Sequence, residues 1–195
     1  MKRIEAIRRI AALIPPDALV VASTGRVGRM LCAEGDADSR FYLLGGSGLA
    51  GAVGLGLALQ RPERTVVVLD GDSSTLMNLG GMANVAERGP EGYFHIVIDN
   101  GVYGATGGQR TISDEVALEE IAWACGYTRA ERVDEPDALA ATLGALFDEP
   151  GPAMLLVEVE PEDAPGDVPR IPHSPAALAV RFRAAAAREE TAATS

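Results

Sequence analysis

At 195 residues the chain can bury roughly 70% of its unfolded surface, enough for one domain with a substantial core. A formal charge of −11 excludes non-specific nucleic-acid binding, which needs basic surface, and Lys2, the single lysine, leaves no internal candidate for Schiff-base chemistry. Aliphatic residues dominate, aromatics make up 5%, and no apolar run approaches the roughly 20 residues of a membrane span.

The N-terminal MKRIEAIRRIAALI carries an interior glutamate and no small-residue cleavage site, so it reads as an amphipathic helix over 3–13 that stops near Pro15-Pro16. Strand 18–22, helix 26–34, strand 41–44 and helix 48–60 follow. A continuous β-branched run predicts a buried strand at 65–70, and the spacing of Leu76, Met77, Leu79, Met82, Ala83 and Val85 predicts a helix over 74–87 that Ser73 or Ser74 can cap. Strand 93–99 runs into a loop containing Gly101, Gly104, Gly107 and Gly108, and then come helices 114–125 and 136–147, strand 153–160 and helix 174–188. This alternation predicts an α/β fold, a doubly wound, mostly parallel sheet with helices on both faces, forming one domain over 1–190. The acidic connector EPEDAPGDVP at 160–169 reads as solvated surface, and the tail at 191–195 as disordered. Cys32 and Cys125 lack metal or CxxC spacing and read as buried free thiols in a reducing cytosol, which makes a cytoplasmic protein the expectation.

Two polar clusters close two of these strands. One is Gly71-Asp72-Ser73-Ser74 and the other Asp99-Asn100-Gly101, with 25 residues between Ser73 and Asp99. Each alone is an ordinary turn. Together, at the carboxyl ends where open parallel sheets hold ligands, a carboxylate, a carboxamide and exposed backbone suit a hard divalent cation and the phosphate oxygens that share its coordination sphere. The free N–H groups and macrodipole of the helix after Asp72 would favour an anion there, and the nearby glycines permit close backbone approach.

On these residues the chain resembles the pyrophosphate-binding domain of thiamine diphosphate enzymes, whose fingerprint is Gly-Asp-Gly, a spacer of about this length, and a pair usually written Asn-Asn. Thr24-Gly25, FYLLGGSGLAGAVGLGLAL at 41–59, LDGDSSTLMNLG at 69–80 and IDNGVYGATGGQ at 98–109 are most similar to the β subunit of sulfopyruvate decarboxylases and the C-terminal half of phosphonopyruvate decarboxylases. Pro169-Arg170, Ser174-Pro175 and Arg181-Phe182 extend the likeness to nearly the full length. The resemblance implies that Mg²⁺ is bound by Asp72, by the side-chain oxygen of Asn100 and by the Val102 carbonyl. It implies that Gly71, Ser73, Ser74, Tyr103 and Gly104 line the diphosphate, and that the Gly45, Gly46, Ser47, Gly48 loop lies against the thiazolium side.

Two positions depart from the family. Ser73 replaces a glycine; its N–H still serves a phosphate if the backbone needs no positive φ. Ser47 stands where relatives place a bulky apolar residue that wedges the cofactor into its bent form, so a neighbour or a partner chain supplies the wedge, or cofactor activation is impaired or altered.

The glutamate that activates the cofactor lies, in this superfamily, on a separate pyrimidine-binding domain for which the chain has no room. The resemblance therefore implies a partner subunit of similar size, met through the apolar faces at 49–59 and 76–85 or by surfaces those faces do not supply, since helices over a parallel sheet need apolar faces anyway. The implied activity is thiamine diphosphate- and Mg²⁺-dependent decarboxylation of a small anionic 2-oxoacid, with a carboligase or a non-catalytic cofactor-binding subunit as alternatives. A nucleotide-binding Rossmann domain ranks last, for want of Gly-x-Gly-x-x-Gly after the first strand. His95 reads as a core residue and His173 as surface; Arg26, Arg29 and Arg110 could hold a substrate anion or simply be solvated, and Gln109 could cap a helix or touch substrate.

Overall fold

The structure is a computed structural model that describes residues 1–161 and 168–188; the connector predicted at 160–169 lies largely outside them and the tail at 191–195 wholly so. At its centre, β3 (Val66–Gly71) and β4 (Tyr93–Asp99) are buried along their whole length and pair in parallel from Val66↔Tyr93 to Gly71↔Ile98. Because successive side chains point to opposite faces, Val67 and Leu69 enter one apolar layer while Val66 and Val68 enter the other. Strands buried on both faces in this way read as uninterrupted apolar runs.

Six parallel strands make the sheet. β1 (Leu19–Ala22), β2 (Arg40–Tyr42), β7 (Arg129–Val133) and β8 (Ala153–Glu158) complete the order β2-β1-β3-β4-β8-β7. One face is covered by α1 (Arg3–Leu13), α2 (Arg26–Glu34) and α7 (Pro136–Phe147). The other is covered by α3 (Ala50–Gln60), α5 (Gly80–Arg88) and α6 (Leu118–Cys125). α8 (Pro175–Ala186), N-capped by Ser174, packs beside edge strand β2, where Phe182 stacks on Phe41 with ring centroids 5.3 Å apart. The predicted doubly wound α/β sheet is thus present.

α3 lies close to the sheet because its glycines allow it. A Cβ on Gly54 would fall 2.2 Å from Val68 Cγ2, so the AGAVGLGL sequence trades side chains for proximity.

Several expectations come out differently. The helix expected over 74–87 is two helices, α4 (Asp72–Leu76) and α5, separated by tight turns at Met77–Leu79. Ser73 and Ser74 do not cap it; Gly71 is the N-cap residue, and Ser74 Oγ accepts from Gly48 N–H at 3.0 Å instead. The glycine loop contains an antiparallel hairpin of β5 (Val102–Tyr103) and β6 (Gln109–Arg110). β7 was not foreseen because RAERV is an edge strand, whose charges sit beside water and one another: Arg132 pairs with Glu119 at 2.7 Å and Glu158 at 3.1 Å. Cys32 and Cys125 are free as expected, but half-buried rather than buried.

Candidate functional site

The chain runs from β1 outward to β2 and then returns across β1 to β3, so the strand order reverses between β1 and β3. Loops leaving the two strands at such a reversal part in opposite directions and open a crevice at their carboxyl ends. A cavity of about 360 Å³ occupies that crevice. Ser23, Thr24 and Gly25 line it after β1, Gly71 to Ser74 after β3, and Asn100 after β4. Val102, Tyr103, Gly104 and Thr106 of the hairpin, together with Ser47, Met77, Arg3, Arg26 and Arg29, complete the walls.

Asp72 is 1% exposed at the start of α4. Its Oδ2 accepts from Thr111 Oγ at 2.8 Å and Ser113 Oγ at 3.4 Å, and Ser113 Oγ also donates to Asp99 Oδ1 at 2.8 Å. Ser113 therefore bridges two buried carboxylates. Burial pushes the Asp72 carboxyl up to about 6, the Asp99 carboxylate adds to the rise, and the Thr111, Ser73 and Ser113 hydrogen bonds oppose it. A carboxylate kept ionised in such a place gains from a bound cation.

The turn after β4 is set by Gly101 at φ +68°, whose N–H donates to Asp99 Oδ1 at 3.0 Å. Beyond it the hairpin turns the chain back, so that Thr111 N–H donates to Gly101 carbonyl at 2.8 Å and Thr111 and Ser113 reach Asp72. Asn100 is 8% exposed. The two terminal atoms of its amide lie 2.6 Å from Arg3 Nη2 and 3.3 Å from the Val102 carbonyl oxygen; hydrogen bonding alone turns the amide oxygen to Arg3, whereas a cation shared with the Val102 carbonyl needs it turned to Val102.

Of the twelve residues expected at the site, Ser47, Gly71, Asp72, Ser73, Ser74, Asn100, Val102, Tyr103 and Gly104 line this one cavity. Gly45, Gly46 and Gly48 do not, although Gly48 is tied to its wall through Ser74; Asn78 Nδ2, outside the cavity, also donates to Gly48 carbonyl at 2.9 Å. Gly46 and Gly48 both have positive φ, so this loop needs its glycines.

Arg26 and Arg29 reach the cavity, but Arg110 is exposed and ion-paired with Asp114. Arg29 also lines an adjoining cavity of about 250 Å³ shared with Arg170. Gln109 lies in β6 and accepts from Thr106 Oγ at 2.7 Å, so it caps no helix. His95 is buried under α3 with Nε2 3.6 Å from Asp70, a core residue as expected. His173 is not simply surface: its Nε2 lies 2.6 Å from Asp36.

Sequence reasoning missed Thr111, Ser113 and Arg3. In Thr111-Ile112-Ser113 the pattern points the wrong way, with both polar residues inside and Ile112 54% exposed. Arg3 did leave a signal, since it shares the buried face of α1 with Ala6, Ile7 and Ile10, where a cation needs a reason.

Residues 36–157 match the family described as thiamine pyrophosphate enzyme, C-terminal TPP binding domain. The chain belongs to this family. It is 43% identical over 182 residues to the phosphonopyruvate decarboxylase of Streptomyces viridochromogenes, covering 93% of this chain and 45% of that protein. It is 40% identical over 174 residues to the sulfopyruvate decarboxylase subunit beta of Methanothermobacter thermautotrophicus, covering 88% of each. The chain thus spans about half or less of the length of the phosphonopyruvate decarboxylases it matches, and most of one β subunit. Benzoylformate decarboxylase from Polynucleobacter necessarius shares the fold, with a TM-score of 0.73 at 17% identity over 85% of this chain and 34% of that one. Among the described residues no helix is long and apolar enough to cross a membrane.

Proposed function

We propose that residues 1–190 form one domain that holds the diphosphate and metal of a thiamine diphosphate- and Mg²⁺-dependent 2-oxoacid decarboxylase, completed by a separate pyrimidine-binding subunit. The observation that carries this is the meeting of Asp72 and Asn100 in one cavity at the strand-order reversal. A carboxylate, a carboxamide oxygen and a backbone carbonyl are the oxygen donors that Mg²⁺ takes, with room left for phosphate oxygens and water. Asp72, Asn100 and the Val102 carbonyl would hold the metal, with the Asn100 amide turned so that its oxygen joins the Val102 carbonyl, while Ser73, Ser74, Tyr103 and Gly104 line the diphosphate. When bound, thiamine diphosphate supplies the electron sink that lets a 2-oxoacid lose CO₂. Thr111 and Ser113 orient Asp72, as partners behind a metal ligand do.

Relatives named for sulfopyruvate and phosphonopyruvate favour a substrate with a second anionic group. Arg29 and Arg170, which share the adjoining cavity, are placed to meet it. The partner surface is α3, which carries no charged residue and leaves Leu49, Val53 and Leu59 exposed at its start and along its outer side. Relatives named as β subunits support such a partner.

Calorimetry of the chain with Mg²⁺ and thiamine diphosphate, followed by decarboxylation assays of the co-expressed pair, tests the reading. Binding and CO₂ release are expected with the pair; loss of neither binding nor turnover in Asp72→Ala would refute the site. Val53→Asp should dissociate the pair while leaving this subunit folded by circular dichroism.

Ser47 favours a second reading, a cofactor-binding subunit without turnover. Its side chain is too small to wedge the cofactor, although Met77, 57% exposed on the same cavity, stands close by. Binding without decarboxylation in the full complex would select this reading.

A further inference from the structure

Arg3 opens α1 and is only 3% exposed, although a guanidinium is ordinarily kept in water. Two backbone hydrogen bonds explain how the first residue of α1 reaches Asn100, so distant in sequence. Glu160 N–H donates to Met1 carbonyl at 2.9 Å, and Val159 N–H donates to Asp99 carbonyl at 2.8 Å. The beginning of α1 and the end of β4 are thus fastened to adjacent residues of the segment leaving β8. That arrangement puts Arg3 Nη2 2.6 Å from the Asn100 side-chain amide and makes Arg3 part of the wall shared with Asp72 and Ser73. A Cβ on Gly104 would lie 3.9 Å from the same Nη2, so the hairpin backbone passes beside the guanidinium without covering it with a side chain.

Charge gives this placement its meaning. A diphosphate carries more negative charge than one divalent cation neutralises, and Asp72 and Asp99 already stand behind the cavity. A buried cation on the same wall offsets the excess where solvent screens least. Its planar fork matches phosphate oxygens, and charge-assisted bonds of this kind are about twice as strong as neutral ones.

We propose that Arg3 is an anion-binding residue of this cavity, its guanidinium taking a phosphate oxygen of the diphosphate. The inference rests on the diphosphate reading given above, and the experiment separates the two. The full chain is titrated calorimetrically with inorganic pyrophosphate in Mg²⁺, and then with thiamine diphosphate. Arg3→Met should weaken both by about tenfold or more, and Arg3→Lys, which keeps the charge, by less than about threefold. Arg3→Met within about twofold of wild type, while Asp72→Ala abolishes binding, overturns the role of Arg3 and leaves the site standing. Unchanged affinity in Asp72→Ala overturns the diphosphate reading itself. If Arg3→Met does not fold, the wild-type Arg3 side-chain ¹⁵Nε resonance decides: it should move on adding Mg²⁺ and pyrophosphate, and a resonance that stays put refutes the contact.

Discussion

Asp36, in the connection from α2 to β2, is gripped by Arg181 of α8, whose two terminal nitrogens each donate at 2.7 Å to a different carboxylate oxygen. His173 at 2.6 Å and Tyr42 hydroxyl at 3.1 Å complete its partners, and Arg181 also lies over the Tyr42 ring, 5.9 Å from its centroid. Asp72, after β3 of the same sheet, is more deeply buried yet held by the hydroxyls of Thr111 and Ser113, with a second carboxylate behind it. Their ionisation follows. The Arg181 guanidinium, helped by His173 and Tyr42 and opposed by burial, holds the Asp36 carboxyl well below the usual carboxylate range, whereas burial lifts Asp72 to about 6. A carboxylate that fastens α8 to the β2 edge is saturated with partners; one that serves a ligand stands on positioning hydroxyls, and the ligand's cation completes it.

The comparison breaks most sharply at Asp72. Asp72→Ala should lower Mg²⁺-dependent affinity for thiamine diphosphate by about a hundredfold or more, since removing a ligand costs more than removing its support. Calorimetry reads the loss, while thermal unfolding should show the domain still folded.

Arg181→Ala is the counterpart at the clamp. Losing a bidentate, charge-assisted pair should cost about 2 kcal/mol of stability, lowering the melting temperature by roughly 4–8 °C, without changing cofactor affinity. The pH dependence has a definite sign. Because the folded Asp36 pKa lies below the ordinary value of about 3.9, the clamp contributes fully above about pH 5 and is lost as pH falls below the unfolded pKa toward the folded one. Asp36→Asn should flatten this acid limb in urea titrations run at several pH values.

Thr111→Ala and Ser113→Ala sharpen the site half of the contrast. Each removes a hydroxyl that orients Asp72, and each is expected to weaken Mg²⁺ binding by roughly tenfold while leaving the fold intact. The smallest effect has the opposite sign. Asp72→Asn should stabilise the metal-free chain at neutral pH by about 1 kcal/mol, or roughly 2–4 °C, because it removes one of two buried, mutually repelling carboxylates. A fall in melting temperature for Asp72→Asn would count against the contrast.

Much of the molecule could be read from local pattern. Buried strands such as 66–71 and 93–99 declare themselves by unbroken apolar runs, and the limits of α2, α7 and β4 agree with those read from the sequence. Asp72 and Asn100 could be found because each stands at a strand end, where chemistry and spacing lie within a few residues of chain. Ser74 was visible too, but it does not cap the helix: the chain turns at Met77–Leu79, and Ser74 and Asn78 hold the Gly48 loop.

The tertiary structure alone decided which distant groups share that crevice. Arg3 meets Asn100 because backbone bonds fasten Met1 and Asp99 to adjacent residues after β8, and Thr111 and Ser113 meet Asp72 because a hairpin returns them. Periodicity reports which way a side chain faces relative to its own element. The meeting of side chains across β1, β3 and β4 depends instead on strand order and loop path, set by packing of the whole sheet.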